Sequence, residues 1–180
     1  FDVRTKFNHN LNNVLTKRDN LTILDWLFSE KHWRLATNYL GPGKRLSKAL
    51  VDNVQHAGFT HTSASVGHEN FLDDPLNLYT LVIANQISER CDFNYKKIYR
   101  TNWNYYCKNQ KATPHIDDPK ENLISIIYNL HTTDGGTIIL DKEYKDIASQ
   151  AKIFKSNWEH SSSSVTKDKG RVSVNILLEI

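Results

Sequence analysis

The sequence predicts an α+β protein with a mainly β core: helices in the first half, then a run of short strands forming a sandwich or barrel, with the helices against one outer face. Three observations carry this. Apolar residues recur at helical spacing before about residue 95; after it the period changes to two; and turn signals separate the later segments.

The elements follow in order. Asn20 is placed to cap a helix over "LTILDWLFSEKHW", with Ile23, Leu24, Leu27 and Phe28 on one stripe. "KRLSKALVDNVQHAG" repeats the spacing at Leu46, Ala49, Leu50, Val54 and Ala57, with Gly58 as a stop. In "DDPLNLYTLVIANQISERC", Asp74 is the cap and Pro75 the first helical residue, followed by Leu78, Leu81, Val82, Asn85 and Ile87. The later segments "KIYRTNWNYY", "NLISIIYNL", "GTIIL", "AKIF" and "RVSVNILLEI" read as strands. Asp134-Gly135-Gly136 and Lys169-Gly170 are turn signals between them.

The 180 residues suit a single domain, 1–180, divided at about residue 95 into a helix-rich supporting and lid region (1–95) and a strand-rich core (96–180). An apolar fraction of 39% is that of a globular chain. The net charge of +3 is mild and its basic residues are scattered, which argues against a dedicated nucleic-acid surface. Cys91 and Cys107 form no CxxC and no disulfide framework, as expected of reduced thiols in a cytoplasmic setting. No apolar run has the length of a membrane span, and no signal-peptide pattern is visible. Phe1 stands where an initiator methionine would, which predicts a start that is trimmed or missing. Oligomeric state is not legible.

One short motif bears on chemistry. "TPHIDDP" places His115 two residues before Asp117. With 8 histidines and 20 acids in the chain, about one such triplet is expected by chance, so it acquires meaning only from its surroundings. In an extended segment, residues i and i+2 point to the same side, which selects Asp117 over Asp118 as the partner of His115. A third ligand must come from elsewhere, and His131 and His160 are the downstream candidates. His131 lies in a turn region. His160 stands at a strand edge, and eleven residues later Arg171 and Ser173 share one face of the last strand.

The ordered set H-x-D, a distal His, then R-x-S resembles the Fe(II)/2-oxoglutarate-dependent dioxygenases, and within them the prolyl-hydroxylase-like branch with its small marine bacterial and phage members. The resemblance covers about Ile98 to Ile180. It implies a double-stranded β-helix, or jelly roll, with N-terminal supporting helices. It assigns His115, Asp117 and His160 to the metal, and Arg171 with Ser173 to the far carboxylate of 2-oxoglutarate. Two imidazoles and one carboxylate suit Fe(II) with open positions, and an Arg can grip a carboxylate with two parallel hydrogen bonds.

Family members also place a tyrosine on the co-substrate, which brings in Tyr106, with Tyr105 as the alternative. Asn102 and Asn104 share the face of Tyr106 and are candidate pocket residues; Trp158, near His160, is another, though core packing accounts for it better. The implied reactants are Fe(II), 2-oxoglutarate and O2, with ascorbate as a stimulant. The implied substrate is a prolyl or other peptide residue, then a free amino acid or small metabolite, in an intracellular setting that includes a phage-infected bacterial host.

Two departures refine this. Collagen-type enzymes carry Lys at the position of Arg171, and the nucleic-acid demethylases carry a second arginine where this chain has Leu177. Zinc-assisted hydrolysis and a non-catalytic binding module are the rival readings. His56, His61 and His68 match no ligand spacing and read as loop histidines.

Overall fold

The computed structural model describes residues 9–29, 33–37, 57–65 and 74–180. In chain order these form β1 (His9–Leu11), α1 (Lys17–Ser29), β2 (Arg34–Thr37), β3 (Ala57–Ser65), α2 (Leu76–Arg90), β4 (Lys97–Cys107), β5 (Leu123–Asn129), β6 (Gly136–Ile139), β7 (Lys142–Lys145), β8 (Ala151–Lys155), β9 (His160–Ser163) and β10 (Gly170–Glu179). Among the described residues a seven-stranded sheet runs β1-β8-β5-β10-β4-β3-β2, and a three-stranded sheet runs β7-β6-β9. All the pairings are antiparallel.

Alternation along the central strands of the large sheet explains the layers. Val172, Val174, Ile176 and Leu178 of β10 join Ile124, Ile126 and Tyr128 of β5 in a core closed by Ile23 and Leu27 of α1 and Ile83 and Ile87 of α2. That face is apolar, as helix packing requires. The opposite face looks toward the small sheet and is mixed. Ile127, Ile139 and Phe154 make a minor apolar cluster there, while Ser125, Asn129, Lys152, Arg171, Ser173 and Asn175 are also buried. A strand that buries polar groups on one face calls for a paired network or a ligand there.

Several local expectations are corrected. Asn20 is not a cap: α1 starts at Lys17, and Thr16 and Asp19 cap it reciprocally, Asp19 N–H donating to Thr16 Oγ1 and Thr16 N–H to Asp19 Oδ2. Asn20 is instead buried; its amide donates to Ser149 Oγ and its carbonyl accepts from Tyr128 Oη. At α2, Asp74 Oδ1 accepts from Leu76 N–H and Pro75 is the residue before the helix, one position short of expectation. The buried stripe of α2 is Leu76, Asn77, Thr80, Ile83, Ala84 and Ile87, whereas Leu78 and Val82 are exposed. Asn77 and Thr80 occupy the inward face because Ser63 O accepts from the Asn77 amide and Leu76 O from the Thr80 hydroxyl.

The helix predicted over 44–58 falls outside the described residues up to residue 56. Gly58 belongs to β3, opposite Ala36, so it is not a helix stop. Its role there is a close approach: a Cβ at Gly58 would lie 2.6 Å from the Tyr106 ring. With β1, β2 and β3 in the large sheet, the first 95 residues supply strands as well as helices.

Candidate metal centre

Backbone pairing creates the centre. His115 lies outside the named strands but forms an isolated antiparallel bridge with His160 at the start of β9. His115 N–H donates to His160 O at 3.0 Å, and His160 N–H to His115 O at 2.9 Å. This reciprocal pair sets the two imidazoles side by side, ring centroids 4.4 Å apart. Two residues on, Asp117 N–H donates to Ser156 O, so Asp117 faces the same side. The ligand atoms of His115, Asp117 and His160 all lie within 4.8 Å of one another. Asp118 points elsewhere, its Oδ1 accepting from Lys120 N–H.

The ring tautomers suit a metal. His115 Nδ1 is 2.7 Å from Thr113 O and His160 Nδ1 is 3.1 Å from Trp158 O. A carbonyl only accepts, so each Nδ1 carries the hydrogen and each Nε2 presents its lone pair. Asp117 is held as firmly. Its Oδ1 accepts from Arg100 Nη2 at 2.8 Å, and its Oδ2 from Ser125 Oγ at 2.6 Å and Asn175 Nδ2 at 2.9 Å.

Burial opposes ionisation of Asp117, but His160, Arg100, Asn175 and Ser125 outweigh it and keep the carboxyl below its ordinary value. Burial pushes His160 down, against the pull of Asp117 and with the help of His115. A carboxylate favoured in its ionised form beside a His160 whose charged form burial disfavours suits a divalent cation. The donor set therefore fits Fe(II) in its chemistry and its preparation.

A cavity runs from these three residues to Arg171, and its lining includes Asn104, Tyr106, Thr137, Ser173 and Asn175. Register puts them together: Arg171 pairs with Tyr106, Ser173 with Asn104 and Asn175 with Asn102, so all six share the inner face. Tyr105, one residue away, lies on the other face among Phe28, Trp33 and Phe59. The structure thus places Tyr106, and not Tyr105, in the cavity.

Two expected pocket residues are elsewhere. Asn102 is buried and accepts from Thr62 Oγ1 but is not in the lining. Trp158 packs on the Ile127–Ile139–Phe154 cluster instead of lining the cavity. His131 is apart from the centre, with Nε2 3.1 Å from Gly170 O. His61, read from sequence as a loop residue, sits on β3 with Nε2 2.6 Å from Asp74 Oδ2; His56 and His68 lie outside the described residues.

Arg171 is 3% exposed at the far end of the cavity. Its Nη1 donates to Gly136 O and its Nη2 to Thr137 Oγ1. Its Nε is 3.0 Å from Asp146 Oδ2, an ionic contact whose angle falls short of a hydrogen bond. Arg100 shares with Tyr106 the polar strand face that the sequence turns to the cavity, but its bond to Asp117 is not legible there; Ser125 and Asn175 around Asp117, and Asp146 behind Arg171, are not singled out by the sequence. Two-residue parity puts Asn175 on the face of Arg171 and Ser173 and is the signal that could have found it, whereas Asp146 sits in no strand.

No family model matches the sequence, and no curated protein matches it. Similarity appears at the level of fold. A prolyl-4-hydroxylase from Pseudomonas putida superposes with a TM-score of 0.65 at 11% identity, over 99% of this chain and 96% of that one. The viral collagen prolyl hydroxylase of Paramecium Bursaria Chlorella virus-1, solved with 2-oxoglutarate, gives 0.61 at 12% identity, over 99% of each chain. SnoN, the non-haem α-ketoglutarate-dependent epimerase of nogalamycin biosynthesis, gives 0.68 at 11% identity, over 97% of this chain and 78% of that one.

The fold is the one these three structures share. The double-stranded β-helix expected from the sequence is therefore present, its large sheet backed by α1 and α2 and its small sheet facing the centre. In this fold the His115–Asp117–His160 cluster and Arg171 line one cavity. Among the described residues no helix is long and apolar enough to cross a membrane.

Proposed function

We propose that this chain is a non-haem Fe(II)- and 2-oxoglutarate-dependent dioxygenase that hydroxylates a C–H bond of a prolyl or other peptide residue. One observation carries the reading: a prepared two-histidine, one-carboxylate set and a buried arginine line one cavity. A zinc hydrolase has no use for the second feature. Bound iron and 2-oxoglutarate together supply the oxidising chemistry, in which decarboxylation to succinate and CO2 is coupled to oxygen transfer.

The chain's own residues do the rest. His115 and His160 offer Nε2 lone pairs fixed by their Nδ1–H bonds to backbone carbonyls. Arg100, Ser125 and Asn175 orient the Asp117 carboxylate. Arg171, with Ser173 and Tyr106 beside it, receives the far carboxylate of the keto acid. Asn104 lines the approach. The prolyl-hydroxylase neighbours support the peptide substrate; SnoN, with a small-molecule pathway in its name, supports the second reading, a free amino acid or small metabolite.

The test is succinate formation from 2-oxoglutarate by anaerobically reconstituted protein exposed to air, with and without proline-rich peptides and free amino acids. Turnover dependent on both iron and 2-oxoglutarate is expected. Metal binding without any succinate, uncoupled turnover included, rejects the reading.

A further inference from the structure

Behind the arginine is an ionic cluster that neither the metal centre nor the co-substrate contact requires. Lys152 on β8 is 1% exposed, Asp146 in the loop before β8 is 0% exposed, and Arg171 is 3% exposed. Lys152 Nζ donates to Asp146 Oδ1 at 3.0 Å and to Asn129 Oδ1 at 2.5 Å. Asp146 Oδ1 also accepts from Asn129 Nδ2, and its Oδ2 from Thr133 Oγ1 while contacting Arg171 Nε. Every oxygen of this carboxylate is committed.

Two consequences follow from counting. A guanidinium has five N–H groups. Nε makes the ionic contact with Asp146 without a hydrogen bond, and Gly136 O and Thr137 Oγ1 take one N–H each from Nη1 and Nη2. One N–H on each terminal nitrogen is left over for a carboxylate entering the cavity that Arg171 lines. The charge count agrees, since two buried cations share one buried anion. The cluster keeps one positive charge out of water, a costly state that an incoming carboxylate relieves.

We infer that Asp146 and Lys152 are positioning residues for the Arg171 clamp: Asp146 fixes the guanidinium's rear edge, and Lys152 holds the cluster one charge positive, so that it takes one carboxylate group of a dicarboxylate keto acid. This rests on the proposed oxygenase function and adds a proton-linked element to it. The charged groups facing Lys152 are Asp146 from the loop and Arg171 from β10; β5 presents the Asn129 amide, and β1 places uncharged Asn10 opposite it.

Burial lowers Lys152, against the pull of Asp146 and with the push of Arg171, to about 8. A bound carboxylate favours the charged form and raises it. Binding near pH 8 then takes up protons, and affinity falls above pH 8 by up to about tenfold per pH unit until the bound-state value is reached.

The experiment is calorimetry of 2-oxoglutarate binding to Mn(II)-loaded protein from pH 7 to 9.5, in buffers of different ionisation enthalpy, with 2-oxobutyrate as a ligand lacking the far carboxylate. The expected result is net proton uptake at pH 8 with 2-oxoglutarate and none with 2-oxobutyrate. Lys152→Met removes the uptake and flattens the pH profile. A pH-flat wild type that binds 2-oxoglutarate overturns the inference alone, as does a folded Lys152→Met that keeps the profile. No binding of 2-oxoglutarate at any pH overturns the oxygenase reading and the inference with it. The wild-type profile decides the matter even where a variant does not fold.

Discussion

Removing the Arg171 side chain separates the two ends of the cavity. In Arg171→Ala the carboxylate fork disappears, while His115, Asp117 and His160 keep their partners, because none of Arg100, Ser125, Asn175, Thr113 or Trp158 bonds to Arg171. Truncating one member of a buried, hydrogen-bonded charge pair costs about 2–5 kcal/mol, which weakens 2-oxoglutarate binding roughly 30- to 5,000-fold. Metal affinity is expected to change by no more than about twofold, since groups without shared partners couple by about 0.3–0.5 kcal/mol.

The fold is expected to survive, because Asp146 retains Lys152, Asn129 and Thr133. Arg171→Lys keeps the charge without the planar fork and falls between the two. Anaerobic titration with Mn(II), followed by calorimetry with 2-oxoglutarate, reads both constants. Equal losses in metal and keto-acid affinity, or an unchanged keto-acid constant, refute the assignment of Arg171 to the co-substrate.

Three other outcomes are expected. Arg100→Ala frees Asp117 Oδ1 and lowers metal affinity about 10- to 100-fold, measured by competition with a chromogenic chelator. Gly170→Ala places a Cβ 2.6 Å from the Tyr105 ring and 2.7 Å from Tyr106 O, overpacking that costs about 1–3 kcal/mol in urea unfolding. Asp117 and Asp146 both have folded values below the ordinary carboxyl value of 3.8. Their contribution is therefore complete above that unfolded value and is lost as pH falls through the lower folded values. Metal-free protein monitored by circular dichroism is expected to lose stability steeply below about pH 4, and Asp146→Asn to flatten that fall.

Much of the site was legible because its residues are tied to local chain geometry. His115 and Asp117 share a side through two-residue parity, Arg171 and Ser173 do so again, and the long alternating runs of β4, β5 and β10 announce themselves. Two of the small strands did not. β9 is His-Ser-Ser-Ser and β7 is Lys-Glu-Tyr-Lys, neither with the apolar alternation that marks a strand. The cap of α1 was misjudged because a polar side chain found a distant partner: Asn20 bonds to Tyr128, 108 residues away, and so belongs to the core and not to a cap. Arg100, Asp146 and Lys152 act through pairs closed in space, which spacing along the chain does not encode.

One strand serves both ends of the cavity. Arg171 is the second residue of β10, and Asn175, four residues on and on the same face, touches the carboxylate of Asp117. At about 3.3 Å per residue the two positions are roughly 13 Å apart along the backbone. That interval is a ruler cut into the peptide chain: it sets how long a molecule can be and still reach from the Asp117 cluster to the arginine. Side-chain substitution can reshape the grip at either end, but the length between them is a property of the backbone. Deleting one residue of β10 between positions 171 and 175 would do more than shorten the ruler, because it would turn one of its two ends to the helices.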